Sequence, residues 1–468
     1  MRKTKIVCTL GPATDREGVL EDLIGSGMDC ARLNFSHGSH EEHKKRLDAV
    51  RAAAEKCGKT VAVMLDTKGP EIRIKQFESG DALLSAGDSF TLYCGEYKGD
   101  SSGVAVTYKD LDKKVKPGDT ILVDDGIINL NVVSAKDGKV ETKVVVGGEL
   151  KNNKSINIPG VDIPMPALTE KDKEDLSFGI ENEVDFVAAS FVRSADDIRE
   201  IRSFLNSHGG SHIKIIAKIE NDRGVKNIKE IVSDADGVMV ARGDLGVEIP
   251  AEDVPLVQKR FIKMCNEAGK PVIVATQMLD SMIRNPRPTR AEVADVSNAV
   301  LDGADAVMLS GETAAGKYPV ESVRTMARIA VASEEEFARS VYEFYGEETV
   351  TNMISFASCS CANRLNAKAI ITPTSGGYTP RMVAKYRPHA VIVAVSVNKY
   401  VLRQLCLTRG VMPLEHMHMQ DFESTVKESI SVAVKHGYVS NGDLVVITSG
   451  LPTGEQTNTN TVRIETVS

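Results

Sequence analysis

The chain has 468 residues, too many for one compact core, so two or three domains are expected. Hydrophobic residues make up 42% and charged ones 26%, an ordinary globular balance, and 57 basic against 65 acidic side chains leave a net charge of −8. That balance argues against nucleic acid or an anionic membrane surface as a partner, and any anionic ligand needs a local basic site. The eight cysteines are scattered, show no Cys-x-x-Cys, and mostly fall in apolar runs, so they read as buried thiols. Met1-Arg2-Lys3-Thr4-Lys5 is too polar to open a signal peptide, and no apolar run reaches membrane-spanning length; a cytoplasmic protein is expected.

Short apolar runs alternate with amphipathic segments of helical length. In chain order they cover residues 5–10, 28–33, 60–65, 184–189, 213–219, 237–241, 271–275 and 305–309. Eight near-continuously apolar strands, as strands covered on both sides require, predict an α/β fold built on a parallel (β/α)8 TIM barrel. Asp236-Gly237-Val238-Met239-Val240 echoes Asp305-Ala306-Val307-Met308-Leu309, as repeated units would. A doubly wound sheet competes. The barrel is favoured because Arg32 to His37, Asp66-Thr67-Lys68, Ser190, Lys218/Glu220, Arg242/Asp244, Thr276-Gln277 and Ser310-Gly311-Glu312 all follow strand ends, the face where barrel enzymes keep their chemistry.

Between the third and fourth runs, Pro70 to Pro166 changes to period-two alternation with turn signals, among them Asp137-Gly138, a hairpin cue. This reads as an inserted all-β lid domain tethered at both ends. A helical region follows Glu312 to about Phe344, and a fresh α/β pattern then starts, with strands over 369–372, 391–395 and 443–449. The expected domains are 1–69 with 167–344 (barrel), 70–166 (lid) and 345–468 (C-terminal α/β regulatory domain). The last carries a glycine loop, Thr374-Ser375-Gly376-Gly377-Tyr378-Thr379, between a strand and a helix, where backbone N–H groups favour a phosphate. Ser449-Gly450-Leu451-Pro452-Thr453-Gly454 offers a second turn to close over it.

Lys218 and Glu220 are two apart and point to one face of a strand. With Asp244 on the adjacent strand, they suit a phosphorylated substrate held by a hard cation: Mg2+ takes one or two carboxylates plus substrate oxygens. A structural charge network around Lys218 and Arg242 is the alternative. In Ala31-Arg32-Leu33-Asn34-Phe35-Ser36-His37-Gly38, Arg32 can fork onto a phosphate. Asn34 and Ser36, with Asp66 and Thr67, offer four oxygens and one negative charge, which suits a monovalent cation; a hydrogen-bonded strand-end turn explains them equally well. His37 reads as a neutral hydrogen-bonding residue. Thr289-Arg290-Ala291-Glu292 is a capping box.

Thr4 to Pro12, Arg32 to Gly38, Leu65 to Arg73, Lys218-Ile219-Glu220-Asn221, Met239 to Gly246, Ala275 to Leu279 and Met308 to Glu312, in that order over the whole chain, resemble pyruvate kinase of the bacterial, three-domain type. The resemblance implies phosphoryl transfer from phosphoenolpyruvate to ADP, giving pyruvate and ATP in the last step of glycolysis. It implies Mg2+ (or Mn2+) on Glu220 and Asp244, K+ on Asn34, Ser36, Asp66 and Thr67, and Lys218 stabilising the transferring phosphoryl and the enolate. Gly243, Asp244 and Thr276 would bind the substrate carboxylate, Thr276 on the side where the enolate is protonated through water. Arg32 would grip the phosphoryl group, while Asn34, His37, Arg73 and Lys154 would meet the nucleotide. Glu71 accompanies K+ dependence in this family. A homotetramer is implied, with a sugar-phosphate effector such as fructose 1,6-bisphosphate, or AMP, at Thr374, Ser375, Gly376, Gly377 and Thr379. The chain departs from the family at Ser155, where glycine is usual, and at Tyr378, where a basic or small residue is usual.

Two other readings fit part of the pattern. A Mg2+-dependent barrel aldolase or lyase acting on pyruvate or an oxoacid leaves the lid, Arg73 and Lys154 unexplained. A catalytically inactive metabolite sensor would not need Lys218, Glu220, Asp244 and Thr276 together.

Overall fold

The computed structural model describes residues 1–337, 344–416, 421–451 and 458–468. Eight parallel strands form a closed barrel: β1 (Lys5–Thr9), β2 (Cys30–Asn34), β3 (Ala62–Asp66), β4 (Phe186–Ala189), β5 (Lys214–Ile219), β6 (Gly237–Ala241), β7 (Val272–Ala275) and β8 (Ala306–Leu309). Neighbours in sequence are neighbours in space, and β8 closes on β1 with Lys5 opposite Ala306 and Cys8 opposite Leu309. The doubly wound alternative is excluded. The apolar runs of β2 and β4 begin two residues before the sheet because Met28 and Val184 first close the preceding helices, their N–H groups donating to Leu23 O and Gly179 O.

Strand alternation divides each barrel strand between two cores. Outward residues such as Ile6, Ala31, Leu33, Val63, Leu65, Ile215 and Ile219 pack against the helical shell. Inward residues, including Val7, Cys30, Ala62, Met64, Phe186, Ala188, Ile216 and Met239, fill the interior. Two residues further on, the same inward register holds Thr9, Arg32, Asp66, Ser190 and Lys218, all buried. The barrel's filling thus changes from apolar to polar in one step at its C-terminal mouth.

The opposite end is stoppered by the C-terminal domain, whose Cys406 and Leu407 belong to the interior cluster. Arg403 Nε donates to Asp185 Oδ1 (2.5 Å), just before β4, and Arg387 grips both oxygens of Asp305, just before β8, at 3.0 and 2.9 Å. That domain is a five-stranded sheet ordered Val411–Glu415, Val391–Ser396, Ala369–Pro373, Leu444–Ser449, Thr461–Thr466, the last strand antiparallel. Sequence reading misses the first and last of these, and both are edges. Val411–Glu415 contains Pro413, which only an edge tolerates, and Thr461–Thr466 is half exposed. The helix after β8 runs Pro319–Phe337, and Phe344 packs instead on Phe356 and Tyr386 of the C-terminal domain.

Between β3 and β4, the stretch 72–158 has its own apolar core and a seven-stranded sheet. Asp137 and Gly138 (φ 55° and 74°) turn Ile128–Lys136 into Lys139–Val146, the primed turn that an Asp-Gly hairpin takes. Thr289 and Glu292 form the reciprocal capping box expected of them. None of the eight cysteines is in a disulfide, and six of them are buried. Among the described residues no helix is long and apolar enough to cross a membrane.

Candidate active site

At the polar step the side chains converge. The Lys218 ammonium donates to Asp66 Oδ1 at 3.0 Å and to Ser190 Oγ at 2.6 Å, and pairs with Glu220 Oε1 at 3.0 Å. Arg32 Nε donates to the other Asp66 oxygen at 2.6 Å and its Nη1 to Thr9 Oγ1 at 3.0 Å. Asp66 thus receives two cations, one on each oxygen. Burial opposes that charge, but Arg32 and Lys218 outweigh it and hold the Asp66 carboxyl below the usual range. Burial likewise works against the Lys218 ammonium, and the charges of Asp66 and Glu220 overcome it, so its pKa rises.

Glu220 behaves differently. Burial, together with the nearby charge of Asp244, pushes its carboxyl up to about 7 against the pull of Lys218. Burial raises Asp244 as well, and Asp125 of the lid adds to it, while a hydrogen bond to Glu220 lowers it. Glu220 Oε2 also accepts from the N–H of Phe191, a residue held at φ 56°, rare for an aromatic side chain. Two neighbouring carboxyls, both reluctant to ionise and both facing the cleft, form a site a divalent cation would complete. Among the described residues no group of three His, Cys, Asp or Glu could hold a metal, so most ligands would come from substrate and water.

Asp244 lies on a short helix, Arg242–Glu248, rather than on β6. Arg242 turns away from the carboxyl pair and makes a fork on Asp295 at 2.6 and 2.7 Å, so the charge network around Lys218 does not include it. Its Nη2 also donates to Thr276 O at 2.8 Å. Thr276 and Gln277 both have left-handed backbones (φ 69° and 54°), strained for a β-branched residue. The Thr276 hydroxyl accepts from Gly243 N at 2.8 Å and donates to Ala275 O at 2.6 Å, so the Gly243 N–H expected to face substrate is paired with Thr276.

Asn34 stands opposite Asp66 in the β2–β3 register, and its Oδ1 accepts from Ser36 N at 3.2 Å. The Thr67 hydroxyl accepts from Ser190 N at 3.2 Å, and the Thr67 carbonyl accepts from Ser190 Oγ at 2.6 Å. Asn34, Ser36 and the exposed His37 line a cleft of about 600 Å3 with Arg32, Lys218, Glu220 and Asp244. The lid contributes Arg73 and Lys154 to the same cleft. Each is countered: Arg73 pairs with Glu71 at 2.6 Å and donates to Asn153 O, and Lys154 pairs with Asp124 at 2.8 Å. Ser155 bonds Asp125 Oδ1 at 3.1 Å. Asn157 of the lid reaches Glu248 of the barrel at 2.8 Å.

The glycine loop lies apart, in the C-terminal domain. Gly377 adopts φ 74° and donates to Thr374 Oγ1 at 2.9 Å. Ser375 and Gly376 are exposed, and buried Thr379 bonds Thr459. Residues 452–454 of the second turn lie outside the described residues. Ser190, the Phe191 N–H and the lid aspartates are the site components the sequence reading did not assign. The signal for Ser190 was available in the alternation Phe186, Ala188, Ser190.

Comparison with known proteins agrees with this geometry. The family model for the pyruvate kinase barrel domain matches residues 1–323, and that for the pyruvate kinase alpha/beta domain matches 352–465. A pyruvate kinase of Geobacillus stearothermophilus is 52% identical over 473 residues, covering all of this chain and 81% of the relative. Those of Sporosarcina psychrophila and Staphylococcus aureus (strain USA300) are 51% and 49% identical with the same coverage. With family models matching both the barrel and the alpha/beta domain, and relatives near 50% identity along its whole length, the chain belongs to the pyruvate kinase family.

Proposed function

We propose that the chain transfers the phosphoryl group of phosphoenolpyruvate to ADP, in the cytoplasm, with Lys218, Arg32 and Thr276 as its central side chains. The observation carrying this reading is the Lys218 ammonium, fixed by three partners at the floor of a cleft whose roof supplies Arg73 and Lys154. Phosphoryl transfer needs little covalent help from protein; it needs positioning and positive charge. Arg32 and Lys218, bound on opposite oxygens of Asp66, form one preorganised cationic edge for the phosphoryl group and the developing enolate. Thr276, wedged beside Gly243, borders the substrate carboxylate and the face from which the enolate is protonated. Arg73 and Lys154 exchange their lid carboxylates for nucleotide phosphates, and Asn34 and His37 border the nucleotide. Glu220 and Asp244 would hold Mg2+ (or Mn2+), which would supply Lewis-acid charge stabilisation to the substrate. The lid is residues 70–166, the barrel 1–69 with 167–344, and the regulatory domain 345–468.

A coupled assay of pyruvate formation tests the reading. Turnover is expected only with ADP; ADP-independent cleavage would point to a lyase and no turnover to a sensor. The same assay tests for K+. The family relation gives K+ to Asn34, Ser36, Asp66 and Thr67; Asp66 already receives Arg32 and Lys218, but position 71 carries a glutamate paired with Arg73 rather than a lysine that would stand in for the ion. Activity in tetramethylammonium buffer is expected to rise about tenfold or more on adding K+; unchanged activity would exclude that site.

The family relation also supports a homotetramer and an effector at Thr374, Ser375, Gly376, Gly377 and Thr379. The exposed Ser375-Gly376 turn before a helix start is what a phosphate would meet. Fructose 1,6-bisphosphate, ribose 5-phosphate or AMP, titrated at subsaturating phosphoenolpyruvate, is expected to make a sigmoidal rate curve hyperbolic. No response to any of them would leave the loop structural.

A further inference from the structure

Ser190 has no role in the reading above, yet it occupies the centre of the polar layer. It continues the inward register of Phe186 and Ala188 just past the end of β4 and is buried. Its oxygen receives one N–H of Lys218 at 2.6 Å, and its own proton goes to the Thr67 carbonyl at 2.6 Å. Asp66 Oδ1 is a second acceptor at 3.4 Å, and the much shorter bond to the Thr67 carbonyl sets the direction of the hydroxyl. Thr67 and Gly69 lead directly into Pro70, where the lid begins. Gly69 sits at φ 69°, and a Cβ there would lie 2.7 Å from Ser190 Cβ, so the hinge backbone passes close beside the serine and leaves no room for a side chain at 69.

The three acceptors of the ammonium differ in charge. Asp66 and Glu220 are acids, and each would draw Lys218 into a closed ion pair. Ser190 is the neutral one: it fixes the direction of an N–H without cancelling charge that the transferring phosphoryl needs. Without the serine oxygen, a buried N–H is left unpaired and the lysine collapses toward the carboxylates.

We propose that Ser190 is a positioning residue that ties the Lys218 ammonium to the lid hinge through the Thr67 carbonyl, holding the charge aimed into the cleft. This rests on the assignment of Lys218 given under Proposed function. The test is Ser190→Ala beside Ser190→Cys, whose thiol fills the space but accepts hydrogen bonds weakly, with Lys218→Met run in parallel.

For Ser190→Ala, kcat is expected to fall about 10- to 100-fold, with Ser190→Cys between it and wild type and the KM for ADP within about twofold. A ligand-free crystal structure of Ser190→Ala is expected to show the Lys218 ammonium shifted toward Glu220. If the alanine variant does not fold, the cysteine variant decides: a kcat loss at unchanged melting temperature supports the proposal. A kcat within about threefold of wild type, or a loss confined to KM or to melting temperature, overturns it. Full activity in Lys218→Met would instead strike at the role of the lysine itself, so the two failures are separable.

Discussion

Lys218→Met is expected to lower kcat by about a thousandfold or more while leaving the fold intact, because methionine fills the same channel but carries no charge where the phosphoryl group passes. The stability consequence separates this variant from a simple cavity. Removing the ammonium leaves Glu220 and one oxygen of Asp66 without their cation in a buried site, a loss of about 3–5 kcal/mol for a broken buried pair. Arg32 still holds Asp66, so the larger share falls on Glu220. Since that carboxyl already favours its proton, part of the lost stability should return as the pH is lowered from 8 to 6. Steady-state kinetics and denaturant melts at the two pH values measure both effects. A variant with wild-type turnover would remove the lysine from the chemistry.

Glu220→Gln is expected to weaken Mg2+ binding about 100-fold or more and to lower activity at fixed metal in proportion. The amide keeps an oxygen for the Phe191 N–H and loses only the charge, so the melting temperature in the absence of metal should hold or rise. The direction follows from the raised carboxyl. A folded pKa of about 7 against an ordinary value of 4.5 means the native state binds the proton more tightly than the unfolded chain. Metal-free protein therefore loses stability as pH climbs from 4.5 to about 7 and none from this group above that; a bound cation reverses the effect. Mg2+ must displace the proton, so calorimetry at pH 6 in two buffers of different ionisation heat should reveal proton release that shrinks by pH 8 and is reduced in Glu220→Gln. Equal release by both proteins would show that Glu220 does not supply the proton.

The barrel was legible because parallel strands buried on both faces leave uninterrupted apolar runs, each broken by charge at the same end. Period-two reading of β5 correctly put Lys218 and Glu220 on one face. What stayed hidden depended on neighbours distant in sequence. Nothing near Arg242 announces Asp295, and Ser190 could be read as a polar strand end on the right face but not as the partner of Lys218 and Thr67. The two missed strands lie at sheet edges, where exposure dilutes the apolar signal and Pro413 contradicts it. The lid cations could be found from the family motifs, but their pairing with Glu71 and Asp124 is a property of the folded cleft. Asp244 was placed on a strand because Val240-Ala241 continues the apolar run; the chain turns helical at the next residue.

The stopper formed by Cys406 and Leu407 has a bearing on biosynthesis. While a ribosome is still translating residues 310 to 400, β1 can already find β8, but the lower end of the cylinder remains open to water, with Asp185 holding Arg51 but not Arg403 and Asp305 lacking Arg387. A nascent catalytic domain of this kind cannot seal itself. It must wait for the last quarter of the chain, and a chain cut before residue 403 should need a chaperone's shelter rather than accumulate as a free-standing enzyme.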